Sequence, residues 1–356
     1  MKRFFSLVAF LLIANFTFPQ PPPGYYDAAF GLYGVALQNA LHNIIKNHTS
    51  ISYDELYTHF AVTDIKPNNT VWDMYSDIPG GNPPYTFQYV STDECGSYNG
   101  EGDCFNREHS WPKSWFGGEI MPMYSDMFHL YPTDGYVNNM RNNFPYGEVS
   151  SSTWTSQNGS KLGNCSWPGY SGTVFEPIDE YKGDFARSYF YMSTRYYTED
   201  ASWTGSNMTD GSQLKPWARA MMLQWSTQDP VSQKEIDRNN GIFLVQHNRN
   251  PFIDNPQWAF TIWGPGAGIS DISLQSLTLK VFPNPAKDVC HILLPDLGNE
   301  WSVKFIAANG TEIFPKSEVV NTELTINVQN LAAGCYSIVI SNTKSTAAYH
   351  ALLIRP

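Results

Sequence analysis

Five small residues, Gly264-Pro265-Gly266-Ala267-Gly268, divide this chain into two parts with different hydrophobic periods. Before them, apolar residues recur at helical spacing, as in Leu32, Val35, Ala36, Ala40, Leu41, Ile44 and Ile45 within Asp27 to Asn47. After them, short segments alternate apolar and polar: Leu277 to Phe282, His291 to Leu294, Ser302 to Ile306, Leu324 to Val328 and Tyr336 to Ile340. That is the pattern of strands separated by turns in a small sandwich. A Gly-rich segment with no period of its own reads as a linker. The expectation is an α+β chain: a mostly helical domain over 21–263, a linker over 264–275, and a small all-β sandwich over 276–356.

Residues 1–20 read as a secretion signal, with Lys2 and Arg3 ahead of the apolar stretch Phe4 to Phe18. That stretch is shorter than the about 20 apolar residues a membrane span needs, so no stable membrane insertion is expected. In an exported chain the five cysteines bear on disulfides. Cys95 and Cys104 flank a Gly- and acid-rich loop and are the first candidates for a bridge. Cys290 and Cys335 are candidates within the last domain, which leaves Cys165 over. The formal net charge of −11 argues against a general nucleic-acid binder. Gly24 to Ser270 carries 14 Lys and Arg against 26 Asp and Glu, so a reading that involves nucleic acid needs a local cationic groove.

Four longer helices are expected in the larger part: Asp27 to Asn47, Asp184 to Tyr197, Leu214 to Trp225, and Ser232 to Val245. The last opens on a capping box from Ser232 to Glu235. On the second, Arg187, Tyr191 and Arg195 share one face, which suits phosphate contact and base stacking. The same row also suits a solvated face with structural ion pairs. Ser150 to Gly172, rich in Ser, Gly, Thr and Asn, reads as an irregular insertion.

The chemistry-bearing stretch is Phe105-Asn-Arg-Glu-His-Ser-Trp-Pro112. Glu108 is a hard ligand for Mg²⁺ or Ca²⁺, and a neutral His109 can take a proton from water near neutral pH. Neighbours on a strand point to opposite faces, so both serve one site only if the strand ends there. A second strand is expected over Met127 to Tyr131, then a turn with Asp134 as helix N-cap, then a short helix from Tyr136 to Asn143. Asn138, Arg141 and Asn142 share a face of that helix.

These two segments resemble the bacterial endonuclease I family, secreted or periplasmic nucleases with a ββα-metal site. Asn106 to Pro112 matches one family block. Ser125 to Asn143 matches another, with Met127 in place of Leu and Phe128 as an added position. Further matches include Phe175-Glu176-Pro177, Lys182-Gly183-Asp184, Arg187, Tyr191-Met192, Arg195-Tyr196 and Asn248 to Phe252. The resemblance implies a phosphodiester hydrolase with His109 as general base. Glu108 and Asn138 would hold one Mg²⁺, with Ca²⁺ or Mn²⁺ as alternatives. Arg141 or Arg187 would clamp the product phosphate, and Arg187, Tyr191 and Arg195 would contact substrate. DNA is the implied substrate and RNA a second one, cut to leave a 5′-phosphate. Asp126, His129 and Glu176 lie in family blocks and would support the site or the core. Phe282-Pro-Asn-Pro-Ala286 and Leu331 to Tyr336 resemble the C-terminal sorting domains of type IX secretion cargo. They imply that secretion machinery as partner and a secreted or cell-surface protein exported through the periplasm.

The rival reading is a secreted carbohydrate-active enzyme or binding protein, with Trp and Tyr as sugar platforms and Asp179 and Glu180 as paired acids. A non-catalytic nucleic-acid scavenger is a third, which the intact Glu108, His109 and Asn138 disfavour.

Overall fold

The computed structural model describes residues 21–264, 281–293, 301–307, 311–315, 317–320, 323–342 and 345–355. The leader expected over 1–20 and most of the linker lie outside the described residues. The chain divides into two compact units between Gly268 and Ile269.

The first unit combines eight helices with small antiparallel sheets among its described residues. Its centre is α4 (Lys182–Arg195), all fourteen of whose residues are buried. Around it lie α1 (Gly34–Ile45), α5 (Pro216–Gln228) and α6 (Gln233–Gln246), with α2 (Leu56–Thr63), α7 (Pro251–Asp254) and α8 (Gln257–Trp263) completing the shell. One apolar core runs through them, from Leu37 and Leu41 of α1 to Phe185 and Tyr189 of α4, Trp225 of α5 and Phe252 of α7. The capping box expected at Ser232 and Glu235 is formed at the start of α6. The last short helix, α3 (Gly135–Arg141), begins where Asp134 Oδ1 accepts the Val137 N–H at 2.8 Å. Asp134 is therefore the N-cap the sequence suggests.

β1 (Phe105–His109) pairs antiparallel with β2 (Leu130–Asp134), with His109 opposite Leu130 and Glu108 opposite Tyr131. The second strand begins three residues later than its apolar run suggests. Asp126 accepts the Phe128 N–H on its side chain and the His129 N–H on its carbonyl, so Met127 and Phe128 belong to a turn. The stretch read as an irregular insertion instead carries most of β3 (Val149–Thr155) and all of β4 (Lys161–Cys165), which form a three-stranded sheet with β5 (Thr173–Glu176) just beyond it. Its outer strand is Ser- and Thr-rich and mostly exposed, so it carries no apolar alternation to read. A hairpin of β6 (Thr209–Asp210) and β7 (Gln213–Leu214) precedes α5.

The second unit is strand-rich. One four-stranded sheet has the order β11-β10-β14-β15 and the other β12-β13-β9-β8. The strands are β8 (Val281–Phe282), β9 (Val289–Leu293), β10 (Trp301–Ala307), β11 (Glu312–Ile313), β12 (Ser317–Val320), β13 (Glu323–Asn327), β14 (Gly334–Asn342) and β15 (Ser345–Arg355). Ile292, Leu324 and Ile326 of one sheet share a core with Val303, Phe305 and Ile338 of the other.

Cys95 and Cys104 form a disulfide. Cys290 is a buried free thiol, so the pairing with Cys335 considered from the sequence is not formed, and Cys165 is likewise free and buried.

Candidate active site

β1 sends alternate side chains to its two faces. Asn106 and Glu108 face one way, and Arg107 and His109 the other. The strand ends at His109, whose successor Ser110 donates its N–H to the His129 carbonyl at 2.9 Å. The strand ends where expected, and the two side chains have separate surroundings: Glu108 meets Tyr75 and Arg141, and His109 meets Tyr53, Tyr124 and His129.

Glu108 is only 2% exposed. Its Oε1 accepts from Tyr75 Oη at 3.0 Å and from Arg141 Nη1 at 2.7 Å. Burial pushes the carboxyl up from its ordinary range, and the Arg141 guanidinium and the Tyr75 hydroxyl pull it back. Oε2 accepts no hydrogen bond, yet it is not sealed from solvent. On the same side of β1, Asn138 of α3 donates from Nδ2 to Asn106 Oδ1 at 2.7 Å. That bond fixes the amide and leaves Asn138 Oδ1 unclaimed. The close approach depends on Gly135, where a Cβ would come within 2.7 Å of the Tyr98 ring and 3.3 Å of Asn106 Nδ2. Two hard oxygens are thus left without donors, which fits an Mg²⁺-type ion that keeps several waters. Among the described residues no cluster of three or more His, Cys, Asp or Glu is set to hold a metal.

His109 presents Nε2 to the Tyr124 carbonyl at 2.9 Å. A carbonyl only accepts, so Nε2 carries the hydrogen and Nδ1 keeps the lone pair. Nδ1 has no hydrogen-bond partner. The ring lies parallel to Tyr53 and Tyr124, at 5.7 and 5.2 Å between centroids, and 5.5 Å from His129. Burial holds the imidazole well below its ordinary pKa, and the neighbouring His129, Lys113 and Arg107 add to this against the Tyr124 hydrogen bond. The neutral ring with one open nitrogen is the form a general base needs.

Arg141 is completely buried. Besides Glu108, it donates to the carbonyls of His109 at 2.8 Å and Ser110 at 2.5 Å, and to Tyr189 Oη at 3.2 Å. It straps α3 to the end of β1 and presents no donor to solvent, so it is set apart from any clamp on product phosphate. Arg187, 1% exposed, binds Glu235 through Nε at 2.5 Å and Nη2 at 2.8 Å, and the Asp229 carbonyl at 2.9 Å. Tyr191 donates to Asp126 at 2.8 Å, and Arg195 binds His48 at 2.9 Å and Glu199 at 3.0 Å. The row read from the sequence as a substrate face is therefore buried within the protein. Glu235, the Asp229 carbonyl, Asp126, His48 and Glu199 tie the row into the fold.

Asp126 accepts from Tyr191, Tyr196 and Gln246, a buried hub behind His129. His129 is fully buried and bonded through Nε2 to the Met123 carbonyl at 2.7 Å, a core histidine. Glu176 pairs with Lys182 at 2.8 Å. Asp179 and Glu180 are exposed on a short 3-10 helix, with Asp179 tied to Lys182 at 2.7 Å.

The sequence reading passed over Arg107. Its guanidinium lies over the Tyr53 ring at 3.8 Å and the Tyr57 ring at 4.6 Å, on the His109 face of β1. The signal was strand alternation, which puts residue 107 beside residue 109.

Residues 33–257 match the family model described as Endonuclease I, and residues 280–355 match the secretion system C-terminal sorting domain. The chain is similar to an extracellular ribonuclease of Bacillus amyloliquefaciens, 37% identical over 251 residues, 67% of this chain and 78% of that protein. It is 35% identical over 249 residues to an extracellular ribonuclease of Bacillus subtilis, at the same coverage. A shorter similarity links it to an extracellular deoxyribonuclease of Aeromonas hydrophila, 30% identical over 138 residues, 38% of this chain and 51% of that protein.

Proposed function

The chain belongs to the endonuclease I family of secreted nucleases, and on that premise we propose that it hydrolyses phosphodiester bonds of DNA, and also of RNA, with little sequence preference and with the help of one divalent ion. The observation that carries the mechanism is the state of His109: Nε2 committed to a carbonyl, Nδ1 open. In this reading β1, β2 and α3 are the two strands and helix of a ββα-metal motif. Nδ1 of His109 takes a proton from the attacking water, and the bond from phosphorus to the 3′-oxygen breaks to leave a 5′-phosphate. Glu108 Oε2 and Asn138 Oδ1 would hold the ion, Mg²⁺ in the first instance. When bound, it supplies neutralisation of charge on the phosphate and on the departing oxygen. Tyr75 and Arg141 orient Glu108, and Asn106 orients Asn138. Names of relatives that include both ribonucleases and deoxyribonucleases support a tolerant substrate range. Recognition through phosphate and sugar carries no base code, which accords with low sequence preference. Residues 1–20 are assigned to a leader, 21–263 to the nuclease, 264–275 to a linker and 276–356 to a sorting domain handled by the type IX machinery.

The protein is a secreted one. Among its described residues no helix is long and apolar enough to cross a membrane. Nicking of a supercoiled plasmid with Mg²⁺ and with EDTA tests the activity. Cleavage that stops with chelator and returns with Mg²⁺ is expected, and full activity in EDTA would remove the metal from the mechanism. Calorimetric titration of Glu108→Ala and Asn138→Ala locates the ion, since each change removes one of two protein ligands.

A further inference from the structure

A nuclease with a formal charge of −11 must meet a polyanion through a few placed cations. We infer that Arg107 binds a phosphate next to the scissile one and sets the register of the strand against His109. The inference rests on the nuclease reading of His109.

Position comes first. Arg107 and His109 are two residues apart on β1 and share a face, roughly 6.6 Å between Cα atoms. That step is comparable to one nucleotide repeat of an extended strand. Lys113 is a second cationic side chain by these rings, with Nζ 5.3 Å from the Tyr124 centroid. Lys113 is committed to Glu119 at 3.0 Å.

Preorganisation comes second. The Arg107 guanidinium lies over two tyrosine rings, at 3.8 Å from Tyr53 and 4.6 Å from Tyr57. Tyr53 in turn stacks on Tyr124 at 4.2 Å, and both stack against His109. One set of rings therefore fixes the base and the cation together. Nη1 donates to the Tyr53 carbonyl at 2.9 Å and lies 3.7 Å from the Asp54 carboxylate, whose side chain is 99% exposed. The Tyr53 hydroxyl is a further hydrogen-bond partner of the side chain, which stays 20% exposed. A planar, partly exposed guanidinium has more N–H donors than these contacts use, and its fork matches a phosphate's oxygens. Arg141 and Arg187, the alternatives in the sequence, have their donors turned inward.

The test is binding of a labelled single-stranded oligonucleotide to the full chain, followed over a range of salt. It is read in the His109→Ala background to prevent turnover, with steady-state kinetics measured alongside in proteins that retain His109. Arg107→Met should weaken binding about tenfold, the loss of a charge-assisted contact, and should raise KM much more than it lowers kcat. The slope of log affinity against log salt should become shallower by about 0.7. Arg107→Lys should keep the slope while losing part of the affinity. Asp54→Lys, at an exposed residue outside the stack, should steepen the slope by about 0.7 and lower KM, and it serves if Arg107→Met fails to fold. Unchanged slopes in folded Arg107→Met, or in Asp54→Lys where Arg107→Met does not fold, overturn the inference. A fall in kcat with KM and slope unchanged overturns it too, because Arg107 would then only brace Tyr53. The slope is read from binding, so it decides the role of Arg107 even if the wild-type chain fails to cut nucleic acid. That second failure would count against the nuclease reading alone.

Discussion

At the scale of single residues, His109 commits Nε2 to the Tyr124 carbonyl and leaves Nδ1 open. His109→Ala should lower the rate of plasmid cleavage about 10²–10⁴-fold in protein that still folds, with the melting curve lowered by loss of the buried ring and its bond to the Tyr124 carbonyl. Near wild-type activity at neutral pH would assign the base elsewhere. The imidazole is held well below its ordinary value of 6.5, so it stays neutral into mild acid. The acid limb of kcat/KM should therefore fall below pH 6.5, and a limb above that value would implicate a different group. Asp73 makes the opposite kind of prediction. Its Oδ1 accepts the Tyr75 N–H at 2.8 Å, while Oδ2 is buried without a partner. Burial first, and the Asp134 carboxylate second, push its carboxyl from 3.8 to about 7. The native state then keeps a proton that the unfolded chain has released, so this residue's contribution is full at low pH and declines as pH rises from 3.8 to about 7. Asp73→Asn keeps the neutral shape and should flatten that decline in urea midpoints measured across the window. An unchanged profile would mean that Asp73 is ionised in the native state.

At the scale of elements, the strap between α3 and β1 matters most. Arg141 neutralises Glu108 inside the protein and holds the carbonyls of His109 and Ser110. Arg141→Met leaves Glu108 buried and unpaired, a loss of about 3–5 kcal/mol. For a domain of this size that lowers the melting temperature by roughly 10 °C, readable by circular dichroism. A shift under about 2 °C would show that Glu108 finds another partner. The elements differ in how openly the sequence displays them. α1, α4, α5 and α6 follow from apolar spacing, and α6 also from its capping box. The Glu-His strand and the Asp134-capped helix were legible because turn chemistry and site chemistry coincide there. β3 was hidden, because a Ser- and Thr-rich exposed strand has no apolar face to advertise. α4 misled for a deeper reason. Periodicity separates polar from apolar faces, but it cannot tell water from a buried carboxylate as the partner of Arg187. By the same ambiguity Arg141 and Arg187 stood out as cations while Arg107, held between two tyrosines, did not.

At the scale of the whole molecule, the residues assigned to chemistry fall in the first unit and the strand-rich unit contributes none. A fragment ending at Gly264 should fold and cleave plasmid with the specific activity of the full chain, yet remain in the periplasm of a type IX-competent host. A folded but inactive fragment would give the second unit a part in substrate binding. The buried helix α4 has a further consequence, for the order in which the chain can come together. Its side chain at Arg187 waits for Glu235, 48 residues later, and its backbone there waits for Asn250, 63 residues later. A chain that emerges with its N-terminus first exposes the middle of its future core as a charged, water-tolerant helix long before anything exists to enclose it. The nuclease cannot close around α4 until α7 has appeared.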